Sequence, residues 1–185
     1  MQNTLNYIRK LKKDKHIVLG VAFDWGIRKG LDIFIQLSEK LDKEKYQIIL
    51  IGTDDSIVAK LPESIITIYR TQNQEELALC YSLADVFVNP TREDNYPTVN
   101  LEALACGTPV VTFAVGGSPE MLKQGTGVVV PVNDTTQLVK EIYAVCEKRK
   151  CTNRKYILSC AKDFNMKDKF AEYMELYSHL LEVSR

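Results

Sequence analysis

The stretch from Asn89 to Glu120 combines acidic side chains, glycine turns and a helix start within one strand-loop-helix-strand unit. Asp94 and Glu102 stand on either side of the start of a predicted apolar helix, Val99 to Cys106. A carboxylate can accept charge-assisted hydrogen bonds from both neighbouring hydroxyls of a ribose. The free N–H groups of the helix start, around residues 98–100, can receive phosphate oxygens. These residues therefore predict a site for a nucleotide-sugar.

An ordinary loop also explains this stretch. In that interpretation Asp94 and Asn95 form a turn and Thr98 caps the helix. Glu102 is then an exposed acid of the first helical turn. Composition does not separate the two interpretations, and both stay open on the sequence.

A basic pair, Arg28 and Lys29, follows the first predicted strand and precedes the first predicted helix. Helix N-termini favour anions, so two cations at this point could hold a diphosphate. The other interpretation is a solvated basic pair in a loop. No G-x-G-x-x-G follows the first strand and no Walker loop occurs in the sequence, which argues against a standard NAD or P-loop site.

A double glycine, Gly116-Gly117, follows a later strand and leads into Ser118-Pro119-Glu120. Glycines at such a turn let the backbone approach a ligand closely, and Glu120 could accept hydrogen bonds from sugar hydroxyls. The other interpretation is a common turn with a favourable acid in the first turn of a helix that starts at Pro119.

The bulk composition excludes several classes of partner. The 185 residues carry 24 Lys and Arg against 24 Asp and Glu, so nothing in the charge points to nucleic acid. The five cysteines form no C-x-x-C pair, which disfavours a zinc site or a disulfide framework. We expect Cys80 and Cys106 to be buried small hydrophobic residues. We expect no metal site and no resident cofactor.

Targeting signals are also missing from the sequence. No apolar run reaches the ~20 residues that span a bilayer, and residues 1–15 have no apolar core of the kind found in signal peptides. We expect a cytoplasmic protein, with peripheral contact of the full-length protein at the inner face of the membrane left open.

Strands of about six residues alternate with helices of about ten along the chain, which predicts βαβ units. The predicted fold is an α/β, Rossmann-like three-layer sandwich with a roughly six-stranded parallel sheet, helices on both faces and a helical C-terminal tail. Ligands of such sheets bind at the carboxyl ends of the strands. We divide the chain into a leading segment (1–15), a nucleotide-sugar-binding domain (16–150) and C-terminal helices packing on the same domain (151–185).

These motifs resemble the retaining glycosyltransferases of family 4, which have two Rossmann-like domains in the GT-B arrangement. The segments that carry the resemblance are RKGLDIFI, ADVFVNPTREDNYPTVNLEALACGTPVVTF, VGGSPE and GTGVVV. The match runs from about Ile17 to about Ile142, and the helical tail also fits.

The resemblance implies a role for each matching residue. Lys29 and Asp94 would be catalytic, Lys29 at the donor diphosphate and Asp94 at the transferred sugar. Glu102 would take the ribose hydroxyls. The other donor-binding residues would be Arg28, Arg70, Thr71, Asn95, Tyr96, Thr98, Val99, Gly117 and Glu120.

Two positions depart from the family pattern. The first acid of the pair is usually Glu, whereas this frame places Asp94 there with Glu93 adjacent. The arginine that many members place five residues before the lysine falls at Asp24, so either Arg28 replaces it or this subgroup does without it.

The resemblance covers only the donor-binding half of a complete enzyme. It implies a preceding acceptor-binding domain as the missing partner. The donor would be a UDP-, GDP- or ADP-linked hexose and the acceptor a glycan or a lipid-linked glycan, as in polysaccharide biosynthesis. The fragment alone is expected to be inactive.

Two other classes of function remain open. One is half of a GT-B-fold nucleotide-sugar epimerase, which would use the same scaffold. The other is a non-enzymatic nucleotide-binding module, either a degenerate transferase half or a flavodoxin-like receiver. The receiver is disfavoured because the third strand ends at Tyr69-Arg70, with no acceptor Asp after it.

Overall fold

A computed structural model describes residues 6, 8–10, 12–147 and 153–183. Parts of the predicted leading segment, and Cys151, lie outside these residues. Within them, six strands form one parallel sheet in the order β3-β2-β1-β4-β5-β6. The strands are β1 (His16–Val21), β2 (Tyr46–Ile51), β3 (Ile65–Ile68), β4 (Val86–Asn89), β5 (Val110–Phe113) and β6 (Gly127–Val130).

Helices connect the strands and extend beyond the last one. Over the described ranges they are α1 (Leu31–Lys40), α2 (Asp55–Val58), α3 (Gln74–Leu83), α4 (Thr98–Ala105), α5 (Ser118–Met121), α6 (Thr135–Cys146), α7 (Arg154–Ala161) and α8 (Met166–Val183). A 3-10 turn, Lys162–Phe164, joins α7 to α8. None of the helices in this part of the chain is long and apolar enough to cross a membrane.

The core has two layers because successive strand residues point to opposite faces of the sheet. Val18 and its sheet neighbours Ile48 and Val86 pack with side chains of α1 and α6 on one face. Leu19 and Phe87 pack with α3, α4 and α7 on the other. The predicted three-layer sandwich with helices on both faces is therefore confirmed.

Two helix starts differ by a few residues from the predicted ones. We predict a helix from Leu138 with Asp134 or Thr135 as its N-cap. The helix α6 begins at Thr135, and Asp134 is the cap, because its carboxylate accepts the N–H of Gln137. The predicted start of α5 at Pro119 is one residue late, and Ser118 is its first residue.

The two C-terminal helices differ in how they meet the domain. Helix α7 packs on the sheet layer through Ile157, which is fully buried. Every residue of α8 whose side chain is described is exposed, including apolar ones such as Phe170 and Leu181. Helix α7 thus belongs to the packed body of the domain, whereas α8 adds no buried residue to it within the described part of the chain.

Candidate functional site

The order of the strands marks one place where the sheet topology reverses. β1 is followed by β2 and β3 on one side, and β4 by β5 and β6 on the other, so β1 and β4 are neighbours at the switch point. In open α/β sheets the ligand crevice lies at the carboxyl ends of the strands at this point. A cleft of about 210 Å³ occupies that position. Its lining consists of residues 21–25, Lys29, 88–90, Asp94 and 96–99.

Lys29 and Asp94 face each other across this cleft. The Lys29 ammonium donates to the Asp94 carboxylate at 2.8 Å, and their side chains are 18% and 22% exposed. The second carboxylate oxygen of Asp94 accepts the N–H of Tyr96 at 3.2 Å. Asp94 therefore forms the turn of the ordinary-loop interpretation and also holds a cation in the cleft. An ammonium has three donors, so Lys29 can keep this bond and still donate to a ligand.

A left-handed glycine brings the two loops of this ion pair together. Gly30, the N-cap of α1, has φ of 76°, a conformation that a residue with a side chain rarely adopts. A Cβ at Gly30 would also lie 2.5 Å from the carbonyl oxygen of Pro90. The loop after β1 can approach the loop after β4 this closely only because residue 30 is glycine.

The first turn of α4 opens into the same cleft. The N-cap is Pro97, and no side chain caps the helix. Thr98 is the first helical residue, so the interpretation of Thr98 as the cap is wrong. Thr98 and Val99 line the cleft, where uncapped backbone N–H groups can bind an anion.

Glu102 lies outside the cleft, one turn further along α4. Its carboxylate accepts the hydroxyl of Tyr81 on α3 at 3.0 Å. Burial raises the pKa of Tyr81, and the Glu102 carboxylate raises it further, so the phenol stays protonated and donates. The two residues line a second groove between α3 and α4 that begins at Gln74, next to the loop after β3.

The double glycine contacts the Asp94 loop instead of opening toward a ligand. A Cβ at Gly116 would lie 2.0 Å from the carbonyl oxygen of Asp94, and one at Gly117 would lie 2.3 Å from the Tyr96 ring. The N–H of Gly117 donates to the carbonyl of Asn95 at 2.7 Å. The glycines therefore let the turn after β5 support the loop that carries Asp94.

The remaining predicted residues do not line the cleft. Arg28 is exposed and pairs with Asp24, four residues earlier in the same loop. Glu120 is exposed on α5 and lies near Tyr96, whose pKa is raised by burial and further by the Glu120 charge. Arg70, Thr71 and Asn95 lie in loops. Arg70 and Asn95 are exposed, and Thr71 is half-buried.

Arg92 is a residue of this region that no sequence motif predicted. Its guanidinium donates to both carboxylate oxygens of Asp32, at 2.8 and 2.7 Å. It also donates to the side chain of Asn133 and to the carbonyl of Ile27. The signal in the sequence is an arginine two residues before Asp94, but its partners lie 60 and 41 residues away and no local pattern connects them.

Solved structures share this fold over nearly the whole chain. Sucrose-phosphate synthase from Thermosynechococcus elongatus matches with 26% identity and a TM-score of 0.79, over 98% of this chain and 49% of that one. A glycosyltransferase from Rickettsia africae matches with 15% identity and the same TM-score, over 98% and 52%. The fold is that of the C-terminal domain of a GT-B glycosyltransferase.

The sequence comparisons give the family. The model of the family described as glycosyl transferases group 1 matches residues 15–148, and the chain belongs to this family. A D-inositol 3-phosphate glycosyltransferase from Mycobacterium sp. (strain KMS) is 31% identical over 120 residues, which are 62% of this chain and 27% of the relative. An uncharacterized 41.2 kDa protein in the cps region of Klebsiella pneumoniae is 28% identical over 75% of this chain and 40% of its own length. The chain thus spans less than half the length of these curated relatives.

Proposed function

We propose that this domain binds a nucleotide-sugar and is the donor half of a retaining glycosyltransferase of family 4. The donor would be a UDP-, GDP- or ADP-linked hexose, and the acceptor a glycan or a lipid-linked glycan. One observation carries the proposal: the Lys29–Asp94 pair lies beside the uncapped start of α4 at the switch point of the sheet.

The cleft suits the charge that develops during sugar transfer. When the bond between the sugar and the diphosphate breaks, negative charge grows on the leaving phosphate oxygens. Lys29 and the N–H groups of Thr98 and Val99 would stabilise that charge, because fixed donors that need no reorganisation act strongly in a partly buried site. Asp94 would face the sugar side. Arg28 would reach the diphosphate only by leaving its partner Asp24.

The nucleoside would lie toward the second groove. Glu102 is exposed there and has a carboxylate with free acceptor capacity beyond its bond to Tyr81. Two ribose hydroxyls could donate to it. The base would then lie against residues 70–72, where the loop is held by the Gln72 N–H bond to the Glu76 carboxylate at 2.7 Å.

A complete reaction requires an acceptor site, and we assign that site to a second domain of the GT-B kind. The partner is proposed because the domain fills about half of the sucrose-phosphate synthase and of the Rickettsia africae glycosyltransferase that it matches. We place the enzyme in the cytoplasm, with peripheral membrane contact where the acceptor is lipid-linked. Polysaccharide biosynthesis is the proposed process.

Isothermal titration with UDP, GDP and ADP tests the donor site. We expect one of these nucleotides to bind. Lys29→Ala should weaken its binding by about tenfold or more, because a charge-assisted hydrogen bond contributes ~1.5–3 kcal/mol. Lys40→Ala is the matched control, since Lys40 is exposed at the opposite end of α1. Absence of binding by all three nucleotides at millimolar concentration would reject the proposal.

A further inference from the structure

Arg92 joins three loops at the carboxyl edge of the sheet. Its two terminal guanidinium nitrogens donate to the two carboxylate oxygens of Asp32, at the start of α1, at 2.8 and 2.7 Å. Its Nε donates to the side-chain oxygen of Asn133 at 2.7 Å, which ties in the loop after β6. Asn133 makes this contact from a left-handed conformation with φ of 66°. One side chain thus links the loops after β1, β4 and β6.

The backbone around Arg92 is attached to the same place. The N–H of Arg92 donates to the carbonyl of Arg28 at 2.8 Å, and the hydroxyl of Thr91 reaches the same carbonyl at 3.3 Å. The Arg92 guanidinium donates to the carbonyl of Ile27, the residue before Arg28. Two consecutive carbonyls before Lys29 are therefore held by residues 91 and 92.

We propose that Arg92 is a positioning residue for the donor diphosphate, which it serves by fixing the 26–29 loop so that Lys29 points into the cleft. This inference rests on the proposed function. Arg92 itself does not line the cleft, so it acts on the ligand through Lys29. A displaced ammonium would lose its geometry toward both the phosphate and Asp94.

Geometry, and not charge, is what Arg92 supplies. Its positive charge is already matched by Asp32, and the hydrogen-bonded pair raises the pKa of Arg92 and lowers that of Asp32. A lysine at this position keeps the charge but cannot make the planar, forked set of contacts to Asp32, Asn133 and the backbone. Arg92→Lys should therefore behave like Arg92→Met.

The experiment compares a nucleoside diphosphate with its own nucleoside. UDP, GDP and ADP are first titrated into the unaltered chain by isotope-edited NMR, and the tightest is used with its nucleoside. We expect Arg92→Met and Arg92→Lys to weaken binding of the nucleoside diphosphate by about tenfold and to leave the affinity for the nucleoside unchanged. Arg154→Met is the matched control, because Arg154 also donates to a backbone carbonyl, that of Ser82, outside the cleft. Equal losses for diphosphate and nucleoside would overturn the positioning role.

A second measurement needs no ligand. The N–H groups of Lys29, Gly30 and Leu31 are hydrogen-bonded within the loop, to Gly26 and Ile27, so their hydrogen exchange reports how firmly it is held. Exchange at these amides should accelerate by about tenfold or more in Arg92→Met, with no change in β2. Unchanged loop exchange would overturn the inference even if nucleotide binding is confirmed.

A milder variant covers the case in which Arg92→Met fails to fold. Asn133→Gly keeps the left-handed backbone, which glycine tolerates, and removes a single bond to Arg92. Asn133→Gly should also weaken diphosphate binding and accelerate exchange of the loop amides, each by a smaller factor than Arg92→Met, and should leave nucleoside affinity unchanged. If the unaltered chain binds no nucleotide, the proposed function fails on its own, while the exchange measurement still decides whether Arg92 holds the loop.

Discussion

Two glycines near the cleft differ in what an added side chain would meet. A Cβ at Gly117 would lie 2.3 Å from the Tyr96 ring, whereas one at Gly26 would meet nothing within 4 Å. We expect Gly117→Ala to lower the free energy of unfolding by ~1–3 kcal/mol, because overpacking forces the ring and its loop to move. Urea unfolding measures the effect. Gly26→Ala is the control, and equal stability losses in the two variants would contradict the packing argument.

The Asp32–Arg92 pair predicts a dependence of stability on pH. The hydrogen bond from Arg92 lowers the pKa of Asp32 below its ordinary value of 3.8, so the folded state favours the ionised carboxylate. The resulting stability is present above that ordinary value and is lost as the pH falls through the lower, folded-state pKa. Asp32→Asn should therefore reduce stability near neutral pH, and the difference from the unaltered chain should shrink in acid.

Chemical denaturation at a series of pH values checks this expectation. Asp14→Asn is a suitable control, because Asp14 is exposed and lies far from Arg92 in the sequence. The pair makes no contribution if the difference between Asp32→Asn and the unaltered chain stays constant from neutral pH into acid.

Some residues of the site could be predicted because their positions follow from chain order. Lys29 and Asp94 each come after a strand, and parallel strands end at one edge, so their meeting in the cleft follows from the alternation of elements. The bond between Tyr81 and Glu102 could not be predicted, since it spans 21 residues and depends on how α3 packs on α4. The same limit applies to Arg92, whose partners come from two other loops.

The contact between β4 and α4 includes a buried pair of amides. The side chain of Asn89 donates to that of Asn100 at 2.9 Å, and Asn100 is fully buried. Asn100→Ala should cost ~1–3 kcal/mol, because the Asn89 donor is left buried without an acceptor. Since β4 and α4 form two walls of the cleft, this bond also fixes the start of the helix relative to the strand.

A double-mutant cycle separates this bond from simple loss of packing. Asn89→Ala and Asn100→Ala together should cost less than the sum of the two single variants, because neither then leaves an unpaired partner. Thermal unfolding of the four proteins gives the coupling. Additive losses would mean that the amide pair does not hold the helix to the strand.

Element boundaries were predictable where burial alone decides them. Strands buried on both faces are continuous apolar runs, and β2 and β5 follow such runs to within one residue. Helix starts depended on capping chemistry that the apolar pattern does not contain. Asp134, one of the two residues predicted as the N-cap, places the start of α6 three residues before Leu138, and Pro97 leaves α4 without a side-chain cap.

At the scale of the whole molecule, the sequence predicted the sheet but not the surroundings of its last helix. Apolar residues at helical spacing in α8 indicate a packed face. In the structure Phe170 is 59% exposed and Leu181 is 70% exposed. Whether an apolar face is covered depends on which surfaces come near it, and spacing along the helix does not contain that information.

This exposure predicts that α8 contributes little to the stability of the domain. A chain that ends at Asn165 should unfold at the same temperature as the full chain, because no residue of α8 with a described side chain is buried. The shorter chain should also bind less of a hydrophobic dye, since the exposed apolar side chains of α8 are removed. Differential scanning fluorimetry and dye fluorescence measure the two effects.

A second truncation, ending at residue 152, shows whether the assay can detect a helix that does pack. It removes α7 and with it Ile157, which is fully buried against the sheet layer. Burying an Ile side chain contributes ~1.5–3 kcal/mol, so this chain should melt at a clearly lower temperature. If the truncation at Asn165 lowers the melting temperature as much as the truncation at residue 152, α8 packs on the domain in solution, and its apolar face is covered by the chain itself.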